Sequence, residues 1–485
     1  MSQPLLDLSV VRIDPAQAHR LPRHLAIRRL LLPLADIQGT LHLACAQPPD
    51  EATRAHLKRH LQRDRLEFHL VEGAALRRAL LQVYGHGADG AAAGDAAAAE
   101  DPVARADEIF RAARLRHASD IHLDPERHGL RIRFRVDGVL EDYKHLPPKE
   151  QAPLISRIKV LAGMDIAERR APQDGGFSLP PLPEEPLTAT DVRVATLPVR
   201  HGERATLRLL SCERETLSLE NLGMYPEHLA AVEQLLDRPH GLFLLTGPTG
   251  SGKSTTLYAA IRRLLQHEGL NILTVEDPIE YEMAGVGQAE VDSADKVSFT
   301  KALRSLLRHD PDVIMIGEIR DETSLDTAVK AALTGHLVLS TLHTNSALGA
   351  ITRLSDMGLA PHLIAATLRI SIAQRLVRRL CPHCRRAVTL SEWDAALLGH
   401  PELAGRTAYE PGGCLACAGR GYNGRTALFE VLAPDADLAS QIARRVEETA
   451  LAAELSQKGY RTLGDDAVRK ILDGIISPED ARREL

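Results

Sequence analysis

The sequence has few of the residues that mark several common classes of protein. Aromatic residues make up only 3%, with a single tryptophan, so stacking platforms for single-stranded nucleic acid are not expected. The net charge of −6 gives no overall basic field that would attract nucleic acid. No run approaches the roughly 18 consecutive apolar residues of a membrane span. What is left is an ordinary globular composition, 44% hydrophobic and 26% charged.

The first residues also lack the basic segment and long apolar run of a signal peptide. We therefore expect a cytoplasmic protein without a membrane span of its own, which reaches a membrane only through a partner. The 485 residues are enough for roughly three domains.

Composition and pattern divide the chain into segments. Residues 86–101 are almost entirely Ala, Gly and Asp, which predicts a flexible linker after an N-terminal α/β module over residues 1–85. Residues 102–215 mix helical and strand-like patterns and predict an α/β domain. In its segment "GLRIRFRVDG", alternate arginines predict a half-buried strand with a basic face. Residues 216–485 form the third predicted domain.

The third domain contains four short apolar runs, separated by helical patterns: "GLFLLTG", "NILTVE", "DVIMIGE" and "HLVLSTLH". Short apolar runs are typical of strands buried on both faces. Strands that alternate with helices predict a doubly wound, mostly parallel sheet.

A phosphate-binding loop follows the first of these runs, at "GPTGSGKST". Glycines allow backbone N–H groups to turn towards phosphates, and the helix that follows adds its positive dipole end. Lysine supplies a charge for the β- and γ-phosphates, and the serine after it is placed to bind Mg²⁺. The predicted nucleotide-binding residues are Gly247, Pro248, Thr249, Gly250, Ser251, Gly252, Lys253, Ser254 and Thr255.

Acidic residues end two of the other predicted strands. Glu276 closes "NILTVE", and Glu318 follows "DVIMI" in the position of a Walker B residue. Such carboxylates can orient the attacking water or help to hold Mg²⁺. For either residue alone, the alternative is a polar side chain where a strand leaves the core.

Two histidines, His336 and His343, flank the run "LVLSTL". With the Thr and Asn that follow, they are typical of a sensor for the γ-phosphate. A single histidine at such a place is more often structural.

Four of the six cysteines form two CxxC pairs, "CPHC" and "CLAC". Two such pairs make a tetrahedral thiolate site for Zn²⁺, and a closed four-thiolate site is structural rather than catalytic. The alternative is reduced, unligated cysteine. The predicted zinc element spans residues 381–417, with Cys381, Cys384, Cys414 and Cys417 as ligands.

Long motifs in the chain resemble the secretion ATPases, the GspE/PilB family of type II secretion and type IV pilus assembly motors. They include "VEDPIEYEMAGVGQAEV", "LRHDPDVIMIGEIRDETS", "TGHLVLSTLHTNSALGAITRLSDMGL" and, upstream, "SRIKVLAGMDIAERRAPQDG". The resemblance extends over residues 102–432. It implies a RecA-like core, ATP as the nucleotide, and a homo-hexameric ring. It also implies that Arg193 and Arg208 of the preceding domain reach the phosphates, with Arg204 nearby.

The resemblance to type II secretion ATPases implies a motor that powers pseudopilus assembly and protein export. Its expected partners are the cytoplasmic domain of a bitopic inner-membrane secretion protein, which the N-terminal module would contact, and a polytopic platform protein. The protein would then be attached peripherally to the bacterial inner membrane. The alternative within the family is a type IV pilus extension motor; the tetracysteine element is absent from retraction ATPases.

Two alternatives of other classes are a DNA-uptake or conjugation motor and a small-molecule kinase. The low aromatic content and negative charge argue against a nucleic-acid partner. A kinase reading leaves the domain over residues 102–215 unexplained.

Overall fold

The computed structural model describes residues 5–85, 101–181, 189–210, 218–280, 282–291 and 299–485. The predicted linker lies outside the described residues except for its last position. The chain divides into two compact units, neither of which is continuous in sequence. Unit 1 comprises Met1–Cys212, Leu380–Arg386 and Pro411–Gly424; unit 2 comprises Glu213–Arg379, Ala387–Glu410 and Arg425–Leu485.

Unit 1 begins with a small α/β module around a three-stranded sheet. The sheet has the order β1-β2-β3; β1 and β2 are antiparallel, whereas β2 and β3 are parallel. Its elements are α1 (Pro15–Ala18), α2 (Arg23–Arg29), β1 (Leu31–Ile37), β2 (Thr40–Cys45), α3 (Glu51–Leu61), β3 (Leu66–Leu70) and α4 (Gly73–Tyr84), after a short 3₁₀ helix at Leu8–Val10.

The rest of unit 1 contains a six-stranded sheet of order β6-β5-β4-β9-β8-β7, and each adjacent pair of strands is antiparallel. Two helices contribute apolar side chains to its core. The elements are α5 (Pro102–Leu115), β4 (Ala118–Glu126), β5 (Gly129–Val136), β6 (Val139–Leu146), α6 (Pro148–Leu161), β7 (Gln173–Leu179), β8 (Thr190–Val199) and β9 (Gly202–Leu210).

Strand β5 has the alternation that its sequence predicts. Its even-numbered apolar residues are buried, while Arg131, Arg133 and Arg135 lie on the other face. These arginines contact acidic side chains of the same sheet: Arg131 pairs with Asp142 at 2.6 Å and Arg133 with Asp124 at 2.7 Å. The basic face is therefore largely neutralised within the sheet.

Unit 2 is built on a seven-stranded sheet of order β12-β11-β13-β14-β10-β15-β18. The pairs from β12 to β15 are parallel. The strands are β10 (Gly241–Thr246), β11 (Ile272–Glu276), β12 (Val286–Glu290), β13 (Val313–Ile316), β14 (Leu337–Leu342), β15 (Leu368–Leu380) and β18 (Tyr422–Leu432).

Helices and a small two-stranded sheet complete this part of the chain. The small sheet is formed by β16 (Arg386–Thr389) and β17 (Thr407–Glu410). The helices are α7 (Pro226–Leu236), α8 (Lys253–Leu264), α9 (Phe299–Leu306), α10 (Glu322–Leu333), α11 (Gly349–Asp356), α12 (Pro361–Thr367), α13 (Glu392–Leu397), α14 (Ala436–Ala443), α15 (Glu448–Gln457), α16 (Leu463–Leu472) and α17 (Pro478–Glu484). Short 3₁₀ helices lie at Leu219–Leu222, Pro401–Leu403 and Leu415–Cys417.

Both faces of the large sheet are buried, because alternate residues of its strands enter two different hydrophobic cores. In β10, Leu242 and Leu244 belong to one core, and Phe243 and Leu245 belong to the other. A parallel sheet covered on both faces is the doubly wound arrangement. The predicted fold class is therefore confirmed: a mixed α/β protein with a doubly wound, mostly parallel sheet.

Among the described residues, no helix has the length and apolar character that crossing a bilayer requires. The domain boundaries drawn from the sequence stay a prediction. In the two-unit division, the four cysteines are grouped with unit 1, whereas the sequence boundary at residue 216 assigns them to the ATPase domain.

Candidate functional site

The predicted phosphate-binding loop connects buried strand β10 to helix α8. Gly252, the residue before the helix, has φ +88, and a Cβ built on it would lie 2.8 Å from Nε2 of Gln374. Gly247 has φ +147, and a Cβ there would lie 2.5 Å from the carbonyl oxygen of Gln374. Both the backbone conformation and the close packing therefore require glycine at these two positions.

Lys253 begins α8 and is turned back onto the loop. Its Nζ donates to the carbonyl oxygens of Gly247 at 2.7 Å and Pro248 at 3.0 Å. Burial lowers the pKa of Lys253, and the nearby carboxylate of Glu318 counteracts this. The lysine thus places its charge on the loop, with Glu318 close enough to influence it.

The other loop residues are suited to a phosphate ligand. The hydroxyl of Ser251 is buried and has no hydrogen-bond partner in the described part of the chain. Ser254 and Thr255 lie exposed in the first turn of α8, and residues 248–250 form an exposed tip. A buried hydroxyl without a partner beside a helix N-terminus fits a group that supplies acceptor oxygens.

The parallel sheet brings the predicted site residues to one edge. Strands β11, β13, β14 and β10 are neighbours in this order, and each adjacent pair is parallel. Glu276 ends β11, Glu318 follows β13, His343 follows β14, and the phosphate loop follows β10. Ligands of such folds bind at the carboxyl ends of the strands, which is where these residues lie.

Glu318 lies between a histidine and an arginine side chain. Its Oε1 lies 3.0 Å from Nε2 of His343, and its Oε2 accepts a hydrogen bond from Nε of Arg320 at 3.0 Å. Arg320 also contacts Asp277 at 3.1 Å. The Glu318 side chain is 27% exposed. It is therefore oriented by neighbours and still open to solvent.

Glu276 has a different environment, since it is buried and its two oxygens are occupied. One oxygen accepts a hydrogen bond from the hydroxyl of Tyr258. The other accepts from Oγ1 of Thr274 at 2.7 Å and Nε2 of Gln288 at 3.0 Å. These contacts hold the Glu276 carboxylate in one orientation.

The two histidines of the predicted sensor lie at opposite ends of β14. His343 contacts Glu318, whereas His336 precedes the strand and its Nδ1 lies 2.9 Å from the carbonyl oxygen of Ala331. Only His343 is therefore at the carboxyl edge. The neighbouring Thr344 is joined to the phosphate-loop strand, because its N–H donates to Oγ1 of Thr246 at 2.8 Å.

Strand β15 supplies a supporting pair, Gln374 and Arg375, that the sequence patterns did not predict. The side chain of Gln374 accepts a hydrogen bond from Oγ1 of Thr256 in α8 at 2.7 Å. Arg375 donates to the carbonyl oxygen of Asn345, beside His343, at 3.1 Å. The available signal was the polar pair inside the otherwise apolar run "ISIAQRLV". These side chains join α8 and the loop after β14 to the same strand.

The predicted phosphate-binding arginines lie in unit 1. Arg193 of β8 and Arg208 of β9 are directly opposite each other in the antiparallel register. The side chain of Arg208 is 64% exposed, and its Nε donates to Asp120 at 3.2 Å. Arg204 instead contacts Asp124 at 2.9 Å. The β8-β9 hairpin therefore presents two guanidinium groups from neighbouring strands.

The four predicted metal-ligand cysteines converge in unit 1. Three pairs of sulfur atoms are each 3.8 Å apart: Cys381 with Cys414, Cys384 with Cys417, and Cys414 with Cys417. Four sulfurs at about 2.3 Å from a tetrahedral ion are separated by about 3.8 Å. The same distances exclude disulfide bonds between these pairs, which need about 2.05 Å.

Backbone N–H groups point at two of the sulfur atoms. Gly413 donates to Sγ of Cys384 and Gly421 donates to Sγ of Cys417, each at 3.1 Å. Burial opposes ionisation of Cys417, yet N–H groups of Cys414 and Gly421 outweigh it and hold its pKa below the usual value. Burial, and then the charge of Cys417, raises the pKa of Cys414 to about 12. A cation would be needed to hold all four as thiolates, so the cluster fits a metal ion.

Comparison with known proteins agrees with this geometry. The sequence matches the family described as Type II/IV secretion system protein over residues 96–483, and the MshEN domain over residues 1–90. It is 49% identical over 368 residues to type II secretion system protein E of Dickeya dadantii, covering 76% of this chain and 72% of the relative. The corresponding protein of Klebsiella pneumoniae is 50% identical over 367 residues, with the same coverage.

The chain belongs to the type II secretion ATPases. Solved structures of related proteins share the fold of this ATPase. The ATPase DotB of Legionella pneumophila superposes with a TM-score of 0.58 at 23% identity, covering 79% of this chain and 95% of that one. The pilus retraction motor PilT with bound ADP has a TM-score of 0.54 at 28% identity, covering 77% and 95%. Membership of this family makes the chain a P-loop ATP hydrolase that uses ATP and Mg²⁺.

Proposed function

We propose that this secretion ATPase hydrolyses ATP at the carboxyl edge of the unit 2 sheet, and that hydrolysis powers pseudopilus assembly and the export of folded proteins. The observation that carries the proposal is the placement of Glu318 beside His343, within electrostatic reach of Lys253. A carboxylate, an imidazole and an ammonium group at a phosphate loop provide the parts needed for phosphoryl transfer to water.

Each residue has a proposed task. Backbone N–H groups of residues 247–252 and Lys253 bind the phosphates, and Ser254 would bind Mg²⁺. The ion, when bound, neutralises charge on the phosphate oxygens. Glu318 orients the attacking water, because its carboxylate is open to solvent, whereas the oxygens of Glu276 are occupied by its own neighbours. His343 holds Glu318 and responds to the γ-phosphate.

Arg193 and Arg208 are proposed to bind the phosphates of the same nucleotide in a homo-hexameric ring. Planar guanidinium groups suit bidentate contact with phosphate oxygens and stabilise charge that develops in the transition state. The exposure of Arg208 leaves its donors accessible. Hydrolysis would change the closure between the predicted domain over residues 102–215 and the ATPase domain, a hinge motion gated by the γ-phosphate.

The tetracysteine cluster is proposed to hold one structural Zn²⁺. Its sulfur separations equal those of a tetrahedral zinc–thiolate site, and the N–H···S contacts are those that stabilise thiolate charge. With four thiolates, no position is left open for a substrate, so the proposed role is structural.

The proposed location is the cytoplasmic face of the bacterial inner membrane, with attachment through partners. Residues 1–85 would bind the cytoplasmic domain of a bitopic secretion protein, and the ring would act on a polytopic platform protein. No nucleic-acid partner is proposed. Arg378, in the basic run before the cysteines, is already paired with Asp480 at 2.5 Å.

The test is complementation of a bacterial strain that lacks its own copy of the gene. The full chain carrying Glu318→Gln should bind ATP, hydrolyse it at least about 100-fold more slowly, and leave secreted enzymes inside the cell. Asp326→Asn is the matched control, because Asp326 is an exposed carboxylate paired with Lys330 on the surface of α10. Normal export by the Glu318→Gln variant would contradict the site. Loss of pili with normal export would move the function to pilus extension.

A further inference from the structure

A second group of metal-ligating side chains lies in the N-terminal module, away from the cysteines in sequence. His42 lies on β2, and Glu67 and His69 lie on β3. The two strands are parallel, and His42 is opposite Glu67 in their register. Residues two apart on a strand point to the same face of a sheet. The three side chains therefore meet on one face, and no part of the proposed ATPase mechanism uses them.

The potential ligand atoms are close to the separation that a metal ion imposes. Nδ1 of His42 and Nε2 of His69 are 2.9 Å apart. Oε2 of Glu67 lies 3.7 Å from Nδ1 of His42, and Oε1 of Glu67 lies 3.7 Å from Nε2 of His69. Ligand atoms at about 2.0–2.2 Å from a tetrahedral ion are about 3.3–3.6 Å from one another. The observed distances lie on either side of this range, and one ligand atom from each of the three side chains lies within 4.8 Å of the other two.

Burial also favours a binding site. The side chains of His42 and His69 are only 13% and 21% exposed, whereas that of Glu67 is 56% exposed. The sheet thus restricts the two imidazoles, and the carboxylate stands on the solvent side. This leaves access for an ion and for a water ligand in a fourth position.

A simpler account is a hydrogen bond between the two imidazoles, in which one ring donates and the other accepts. That bond accounts for the 2.9 Å separation of the ring nitrogens. It does not account for a carboxylate that lies equally far from both nitrogens. The two accounts make opposite predictions for metal binding.

We propose that His42, Glu67 and His69 bind one divalent transition-metal ion, with Zn²⁺ the best match. Two imidazoles and a carboxylate are ligands that zinc accepts in tetrahedral sites. The ion would join β2 to β3, and the site is independent of the tetracysteine cluster and of ATP hydrolysis.

The experiment compares the zinc content of full-length protein after equilibration with micromolar Zn²⁺ and removal of the free ion. The wild type should retain about one zinc ion per chain more than His42→Ala/His69→Ala. The matched control is His56→Ala/His60→Ala, which removes an exposed histidine pair of α3 with ring centroids 6.2 Å apart. That pair has no third ligand within the same reach among the described residues, so the control should keep the wild-type content.

Glu67→Gln provides a second variant that should leave the fold intact, because the Glu67 side chain is largely exposed. Loss of a carboxylate ligand should weaken Zn²⁺ binding at this site at least about tenfold in competition with a chelator. Equal zinc content in the wild type and the His42→Ala/His69→Ala variant would overturn the proposal. Unchanged affinity in the Glu67→Gln variant would also overturn the three-ligand site.

Discussion

At the scale of single residues, the phosphate loop depends on one lysine whose charge is partly buried. Nζ of Lys253 is held by two carbonyl oxygens of the loop, and its pKa is lowered by burial. Those carbonyl contacts are weaker than contacts with phosphate, since a charged acceptor forms the stronger hydrogen bond. The lysine is therefore placed to exchange carbonyl oxygens for phosphate oxygens without a large movement.

Lys253→Ala should abolish ATP turnover. The variant loses the only charge that the loop itself directs at the β- and γ-phosphates, and we expect a fall in kcat of at least about 100-fold. Phosphate release measured at saturating ATP checks this. Lys330→Ala is the control, since Lys330 belongs to an exposed ion pair on α10. Hydrolysis at the wild-type rate in Lys253→Ala would refute the site assignment.

The roles of Glu276 and Glu318 show the limit of sequence reasoning at this scale. Both residues were found because each ends an apolar run, but the sequence did not separate their roles. The difference lies in Tyr258 and Gln288, which bind Glu276 from other elements of the sheet and helix layer. No sequence pattern marks Tyr258 or Gln288 as the partner of a carboxylate. The different surroundings of Glu276 and Glu318 are therefore visible only in the folded chain.

At the scale of elements, the phosphate loop is fixed by the strand before it and the strand beside it. Strand β10 is fully buried, and β15 supplies the backbone and side chain of Gln374 against the glycines of the loop. The helix is tied to the same strand through Thr256. The loop conformation is thus set by packing that does not require the nucleotide.

Gly252→Ala should lower the free energy of unfolding more than Gly269→Ala does. The difference between the two losses measures the packing of Gln374 against Gly252. Both glycines have almost the same φ, +88 and +90, but a Cβ on Gly269 meets nothing within 4 Å. Each substitution carries a backbone cost of about 1–2 kcal/mol. The contact with Gln374 should add about 1–3 kcal/mol in Gly252→Ala. Urea denaturation compares the two, and equal losses would show that Gln374 moves aside freely.

The cysteine element was the easiest part of the molecule to predict, because spacing alone identified the four cysteines that the structure brings together. Replacing Cys414 by serine should remove about one zinc ion per chain relative to the wild type, as serine is a poor zinc ligand. Metal analysis of the purified full chain measures this. A wild-type protein that folds and carries no metal at the cysteines would contradict the zinc assignment.

Four strands of the unit 2 sheet, β10, β11, β13 and β14, were also predictable, since short apolar runs alternate with helical patterns. The pair Gln374 and Arg375 was not, because both residues interrupt an apolar strand without matching a motif. Their partners, Thr256 and Asn345, are far away in sequence. Periodicity predicts which residues are buried, but it does not predict which buried polar groups bind one another.

At the scale of the whole molecule, the predicted catalytic residues are divided between the two compact units. Lys253, Glu318 and His343 belong to unit 2, and Arg193 and Arg208 belong to unit 1. The arginines were assigned through the resemblance to secretion ATPases, since a basic residue on a strand does not by itself reveal a phosphate ligand. Their role stays a prediction.

Arg208→Ala should lower kcat/KM for ATP hydrolysis at least about 100-fold, because a guanidinium group that stabilises transition-state charge is lost. Arg131→Ala is the control; Arg131 is also on the six-stranded sheet and pairs with Asp142. Loss of such an exposed pair costs about 1 kcal/mol or less. Steady-state kinetics measures kcat/KM for ATP hydrolysis in both variants. Equal values for Arg208→Ala and Arg131→Ala would exclude Arg208 from catalysis.

Because each unit contains separated segments, the polypeptide passes from one to the other five times, at residues 212, 379, 386, 410 and 424. No single cut in the chain can therefore yield both units intact. A gene shortened to encode residues 213–485 would still produce residues 380–386 and 411–424, but without the rest of unit 1. The four cysteines would then be present in the truncated ATPase without the rest of the unit to which they belong. A shortened protein that consists of unit 2 alone should therefore lack residues 1–212 and should carry other sequence in place of residues 380–386 and 411–424.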